Sequence, residues 1–131
     1  MNETNKGKNV ANRKAAYKWK ARIWLEGEEG TFLGYGRVVL LERINEFGSI
    51  SKAARSMEMS YKHAWDLVDS MNRQAPEALI KTAAGGKGGG GTKLTAAGKQ
   101  AINHFRTVMD RLQGFLARET GLPLEVLTKK P

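Results

Sequence analysis

Residues 85–91 comprise six glycines and one lysine, and Gly86, Gly88 and Gly91 satisfy G-x-G-x-x-G, a run that lets backbone amides approach a phosphate. A P-loop counted from Gly85 requires lysine at 91, where this chain has glycine, and the dinucleotide fold requires strand-helix-strand repeats that the surrounding pattern lacks. His63 and His104 stand 41 residues apart, there is no cysteine, and no His-Glu-x-x-His occurs. His63 with Asp66 offers at most two ligands on one helix face, which falls short of a metal site. No nucleophile stands beside a base. These residues therefore point to a protein that is not an enzyme and uses no metal or cofactor.

What remains is charge. The 131 residues suit one domain, and the absence of thiols fits a reducing compartment, so the cytoplasm is the expected location. No apolar run is long enough to span a bilayer or to form a secretory signal, so no membrane partner is expected. The formal charge of +9 is uneven: residues 1–20 carry +5, residues 21–75 carry −1 and residues 76–131 carry +5. A surface charged only for solubility would spread that excess; basic flanks around a neutral middle suit a polyanion such as nucleic acid, although basic ends are also common as solvated tails.

The elements that must position these charges follow from periodicity. Residues 1–14 are polar and basic without a pattern and read as a disordered tail. From Tyr17 to Leu25 apolar residues alternate with polar ones, predicting one strand that turns at residues 27–30 and returns through Thr31 and Leu33 as a hairpin. Val38, Leu40, Leu41, Ile44 and Phe47 then recur at helical spacing until Gly48. Ser49 can cap a short second helix with Ile50, Ala53, Ala54 and Met57 facing inward. Ser60 can cap a third, with Ala64, Leu67, Val68 and Met71 inward, ending before Pro76. Residues 78–82 and 92–94 make a second hairpin with the glycine run as its tip. Ile102, Phe105, Met109, Leu112 and Leu116 step by three and four along a helix over residues 95–120, roughly 37 Å long at about 1.5 Å per residue. Such a seam would face water in a monomer, so it predicts a homodimer interface. Residues 121–131 form a tail that can fold back.

This order of elements predicts an α+β winged helix-turn-helix with an N-terminal strand hairpin and a long C-terminal dimerisation helix. The domain covers residues 15–94, followed by the dimerisation helix over 95–120 and the tail. In that fold the third helix enters the major groove of double-stranded DNA. Ser60, Tyr61, Lys62 and Trp65 fall outside its apolar stripe, although the size of Trp65 suits a core equally well. Ser49, Ser51 and Lys52 are placed for phosphate, and Lys81, Lys87 and Lys93 for the wing. Lys62 opposes the helix dipole, a penalty that an external anion would reverse. A rival of another class is a winged helix that docks onto protein without reading DNA, which Asp66 and Asp69 on the third helix favour.

Three stretches also carry a resemblance: Gly48-Ser49-Ile50-Ser51-Lys52-Ala53-Ala54-Arg55, then Met59-Ser60-Tyr61-Lys62-His63-Ala64-Trp65-Asp66 with Met71-Asn72, and the glycine run before Leu94-Thr95 and Gly98. Together they resemble the DNA-binding half of the molybdate-responsive regulators of the ModE family and, more loosely, LysR-type regulators. The likeness covers residues 19–119. It implies a dimeric transcription factor that binds an inverted-repeat operator through the helix at residues 60–73 and the wing at Lys87. Full-length members add small β-barrel domains for molybdate or tungstate; a chain stopping at Pro131 has no room for them, so a stand-alone form that binds neither oxyanion is expected. Glu58 stands where relatives often carry glycine, a substitution tolerable if the backbone there is not left-handed.

Overall fold

The helix-turn-helix forms because three short apolar stripes can close on one another. In the computed structural model, which describes residues 17–83 and 91–128, helix α1 (Tyr35–Phe47) buries Val38, Leu40, Leu41 and Ile44. It stops at Gly48, whose φ of 67° places it in the left-handed region and lets its N–H donate to the Ile44 carbonyl. Helix α2 (Ile50–Ser56) buries Ile50, Ala53 and Ala54, and helix α3 (Tyr61–Gln74) buries Ala64, Val68 and Met71. Each has the predicted cap: Ser49 Oγ accepts from the Lys52 N–H at 3.1 Å and Ser60 Oγ from the His63 N–H at 3.0 Å. Packing of α1 on α2 and of α2 on α3 closes this core. Between α2 and α3, Glu58 has φ 54°, so the turn is left-handed at a residue with a side chain, and the condition under which glutamate would be tolerated there without strain is not met.

Two antiparallel ladders flank the helices. Strand β2 (Trp24–Gly27) pairs with β3 (Gly30–Gly34), with a register irregularity between Leu25 and Glu26. Strands β4 (Ile80–Thr82) and β5 (Thr92–Leu94) pair in the register Ile80↔Leu94, Lys81↔Lys93 and Thr82↔Thr92. Helix α4 (Ala96–Thr120) begins where the Thr95 hydroxyl donates to the Ala78 carbonyl at 2.6 Å and accepts from the Gly98 N–H at 3.1 Å. Gly98 is required here: a Cβ on it would lie 2.3 Å from the Leu79 carbonyl oxygen.

The strand expected over residues 17–25 is divided. Only residues 24–27 find a partner in β3, which α1 ends at Tyr35; the preceding segment pairs elsewhere. Strand β1 (Trp19–Ala21) runs parallel to β6 (Leu124–Val126), so the tail does fold back. Lys18 Nζ lies 2.6 Å from Glu125, and this hydrogen-bonded cation holds the Glu125 carboxyl below the ordinary carboxylate range. The Trp19 indole N–H donates to Thr120 Oγ1 at 3.0 Å. The described residues divide into two compact units, residues 24–105 and residues 17–23 with 106–128. The residue 1–14 tail and the glycine tip with Lys87 lie outside the described residues.

Candidate nucleic-acid interface

Helix α3 separates its residues by chemistry. With Ala64, Val68 and Met71 buried, Lys62, Asp66 and Asp69 lie on the far side of the helix, and Ser60, Tyr61 and His63 are exposed at its N-terminal end. Tyr61 is 54% exposed and the Lys62 side chain 85%. Trp65 is half-buried, with its ring edge-on to Tyr61 at a centroid separation of 6.3 Å and an interplanar angle of 78°. This pair stiffens Tyr61 at the first turn of the helix without covering it.

Of the residues assigned to phosphate, Ser49 and Ser51 line a crevice of about 180 Å³ together with Tyr61, Trp65, Thr82 and Thr92, so the start of α2, the first turn of α3 and the loop-side end of the β4–β5 ladder share one depression; Lys52, Lys81 and Lys93 do not line it. Ser51 and Lys52 are exposed, whereas Ser49 is half-buried and already caps α2. The Thr92 N–H donates to the Gly48 carbonyl at 3.0 Å, fixing the hairpin against the helix-turn-helix.

Two features add to the residues assigned from sequence, one a new residue and the other a pairing of two residues already assigned to the wing. Asn72 clamps β4 to the back of α3: its Oδ1 accepts from the Leu79 and Ile80 N–H groups at 2.8 and 3.2 Å, and its Nδ2 donates to the Ile80 carbonyl at 3.1 Å. The lone signal for it is a polar residue beside Met71, which says nothing of its partner. The second is the placement of Lys81 directly opposite Lys93, both exposed. Like charges across a strand pair destabilise it, so this ladder gains from an anion laid along it. That pairing follows from the hairpin register and was legible in outline.

The charges of α3 are not all free. Lys62 Nζ lies 3.1 Å from Asp66, and Arg73 bonds both Asp69 and Glu29. Arg37 donates to Ser70 Oγ at 3.1 Å and to the Phe32 carbonyl at 3.4 Å, and burial lowers its pKa from the ordinary arginine value.

The residues assigned to a dimer seam divide. Phe105 and Met109 are already buried within the single chain, while Ile102, Leu112 and Leu116 are half-buried. Val108 and Phe115 are the large apolar residues of α4 that stand exposed. The period of the seam was right for a packed stripe, but it does not specify what covers each residue. Among the described residues no three His, Asp or Glu side chains gather as a metal site, and no helix is long and apolar enough to cross a membrane.

Comparison with known proteins gives relatives over most of the chain. The molybdenum transport protein ModE of Azotobacter vinelandii is 42% identical over 113 residues, covering 81% of this chain and 42% of its own length. The DNA-binding transcriptional dual regulator ModE of Escherichia coli is 35% identical over 108 residues, covering 80% and 41%. The molybdenum-pterin-binding protein MopB of Rhodobacter capsulatus is 48% identical over 79 residues, covering 60% and 29%. No family model matches. The chain belongs to the ModE family, and spans about two fifths of the length of the first two relatives.

Proposed function

We propose that this ModE-family chain is a sequence-specific transcriptional regulator that binds an inverted-repeat operator as a homodimer, with α3 in the major groove and the β4–β5 hairpin against the backbone. The observation that carries the reading is the exposed first turn of α3, where Tyr61 and Lys62 stand at the surface while Ala64, Val68 and Met71 are buried, and where Tyr61 lines a crevice shared with α2 and the β4–β5 hairpin. Ser60, Tyr61, Lys62 and Trp65 then form the groove surface. Ser49, Ser51, Lys52, Lys81 and Lys93 supply phosphate contacts, and Lys87 belongs to the same set by sequence. Dimerisation is supported by Val108 and Phe115, which with Leu112 and Leu116 form one apolar stripe on the second half of α4.

The test is selection of bound duplexes from a random pool. A two-fold symmetric consensus supports groove reading and dimerisation together. A complex with about six to ten phosphate contacts loses roughly 10³ to 10⁵ in affinity between about 50 and 200 mM salt. A flat salt response rejects DNA as partner. Changing Lys93→Ala should weaken binding to all duplexes alike, whereas Tyr61→Ala should alter the preferred sequence. The formal neutrality of α3, with Lys62 and Arg73 matched by Asp66 and Asp69, favours the rival reading of a protein-docking module, and the same selection with a flat outcome would establish that rival as the better account.

A further inference from the structure

The ion pair between Lys62 and Asp66 is difficult to explain as a stabilising device. A cation in the first turn of a helix opposes the macrodipole, and α3 has no acidic residue there to offset it. An i,i+4 pair is also weaker with the cation on the N-terminal side, which is the order found here. Both side chains are largely in water, Lys62 at 85% and Asp66 at 63% exposure, so the pair is screened. Asp69, one turn further on, differs: it holds Arg73, and Arg73 in turn bonds Glu29 in the β2–β3 turn and so ties α3 to the hairpin. Asp66 has Lys62 as its partner and performs no comparable tie.

We infer that Asp66 is a specificity-determining residue of α3, holding Lys62 in an exchangeable pair and discriminating among duplexes by what the groove offers its carboxylate. The inference rests on the DNA-binding reading and concerns that same face. An ionised carboxylate only accepts hydrogen bonds. A base edge that presents an amino group at that place, above all the cytosine 4-amino group, satisfies Asp66 and releases Lys62 toward a phosphate or a guanine edge. A duplex without such a donor leaves the carboxylate facing phosphates, and the repulsion keeps Lys62 on Asp66. The residue therefore lowers affinity for wrong sequences more than it raises affinity for the right one.

The experiment measures binding of the whole chain and its Asp66→Asn variant to two duplexes of equal length, the one enriched from a random pool by the unaltered chain and a shuffled version. A Glu77→Gln variant, the same charge change beyond the far end of α3, serves as control. On the shuffled duplex, Asp66→Asn should bind about tenfold tighter at low salt. Its salt slope there should steepen by about 0.9, the signature of one further phosphate contact by the freed Lys62. Affinity for the enriched duplex should change about twofold at most, and a repeat selection with the variant should lose a cytosine preference at one position per half-site. Equal tightening on both duplexes, or the same tightening from Glu77→Gln, would reduce Asp66 to bulk charge and overturn the inference. If the unaltered chain enriches no duplex, the DNA-binding reading fails and takes the inference with it; if it does enrich one, the two fail separately.

Discussion

Residues 24–105 bury Val38, Leu40, Leu41, Ile44, Ala53, Ala64, Val68 and Met71 to 1% exposure or less, from three helices that each contribute a stripe. Residues 17–23 with 106–128 are built on other terms. Among the described residues there, Met109 is the most buried apolar side chain, at 5% exposure, the strands are three residues long, and Val108 and Phe115 remain 57% and 52% exposed. A two-stranded sheet of that length does not support itself. The first unit closes an extensive core of its own while leaving Trp24, Leu25, Phe47 and Tyr61 at the surface, whereas the second has little core beneath its exposed Val108 and Phe115. The contrast teaches that the unit proposed to read DNA has a core of its own, while the unit proposed to pair copies has little core to hold it without a partner.

The largest expected effect breaks the self-sufficient unit. Leu41→Ala removes a fully buried side chain at the centre of α1 and should cost about 2–5 kcal/mol, lowering the urea midpoint followed by circular dichroism. A loss under about 1 kcal/mol would mean that this core is looser than its burial implies. Phe115→Lys should act on the other unit and leave that core alone. It should raise the dimer dissociation constant by about 30-fold or more in sedimentation experiments, as expected for a central aromatic anchor, while the helix content of the dissociated chain is retained. An unchanged association state would dissolve the distinction drawn between the two units.

The same contrast explains what the amino-acid pattern disclosed. The helix-turn-helix was legible because its determinants are local: apolar residues at three- and four-residue steps, Ser49 and Ser60 at the caps, and Gly48 at a left-handed stop. The terminal unit was not, because β1 pairs with residues about a hundred positions away and no local signal encodes a parallel partner. Alternation from Tyr17 to Leu25 specified extended backbone but could not reveal that β3 is too short to pair with all of it. The α4 seam shows the same limit, since spacing marks Phe105 and Met109 as packed without showing that their own chain covers them. For the interface, Tyr61 and Lys62 could be placed at the start of α3 by its cap, and Lys81 and Lys93 by hairpin register. The clamp made by Asn72 could not, because it depends on where β4 arrives.

The smallest expected effect lies in the self-sufficient unit and concerns the one turn where its local chemistry disagrees with its backbone. Glu58 joins α2 to α3 at φ 54°, a conformation in which an L side chain crowds the following carbonyl. The turn holds it there regardless: the Glu58 N–H donates to the Arg55 carbonyl at 3.1 Å and the Met59 N–H to the Ala54 carbonyl at 3.0 Å, closing the end of α2. Glycine removes the crowding but adds freedom to the unfolded chain, and the two effects oppose each other. The steric relief, about 1–2 kcal/mol, exceeds the entropy loss, about 0.5–1 kcal/mol, so Glu58→Gly should stabilise the unit by roughly 0.5–1 kcal/mol. Because Glu58 is exposed and absent from the α3 surface, the urea midpoint should rise while the duplex selected by the chain stays the same. A fall in the midpoint would show that the glutamate makes a contact whose loss outweighs the strain, and a change of selected sequence would show that this turn sets the angle at which α3 meets the groove.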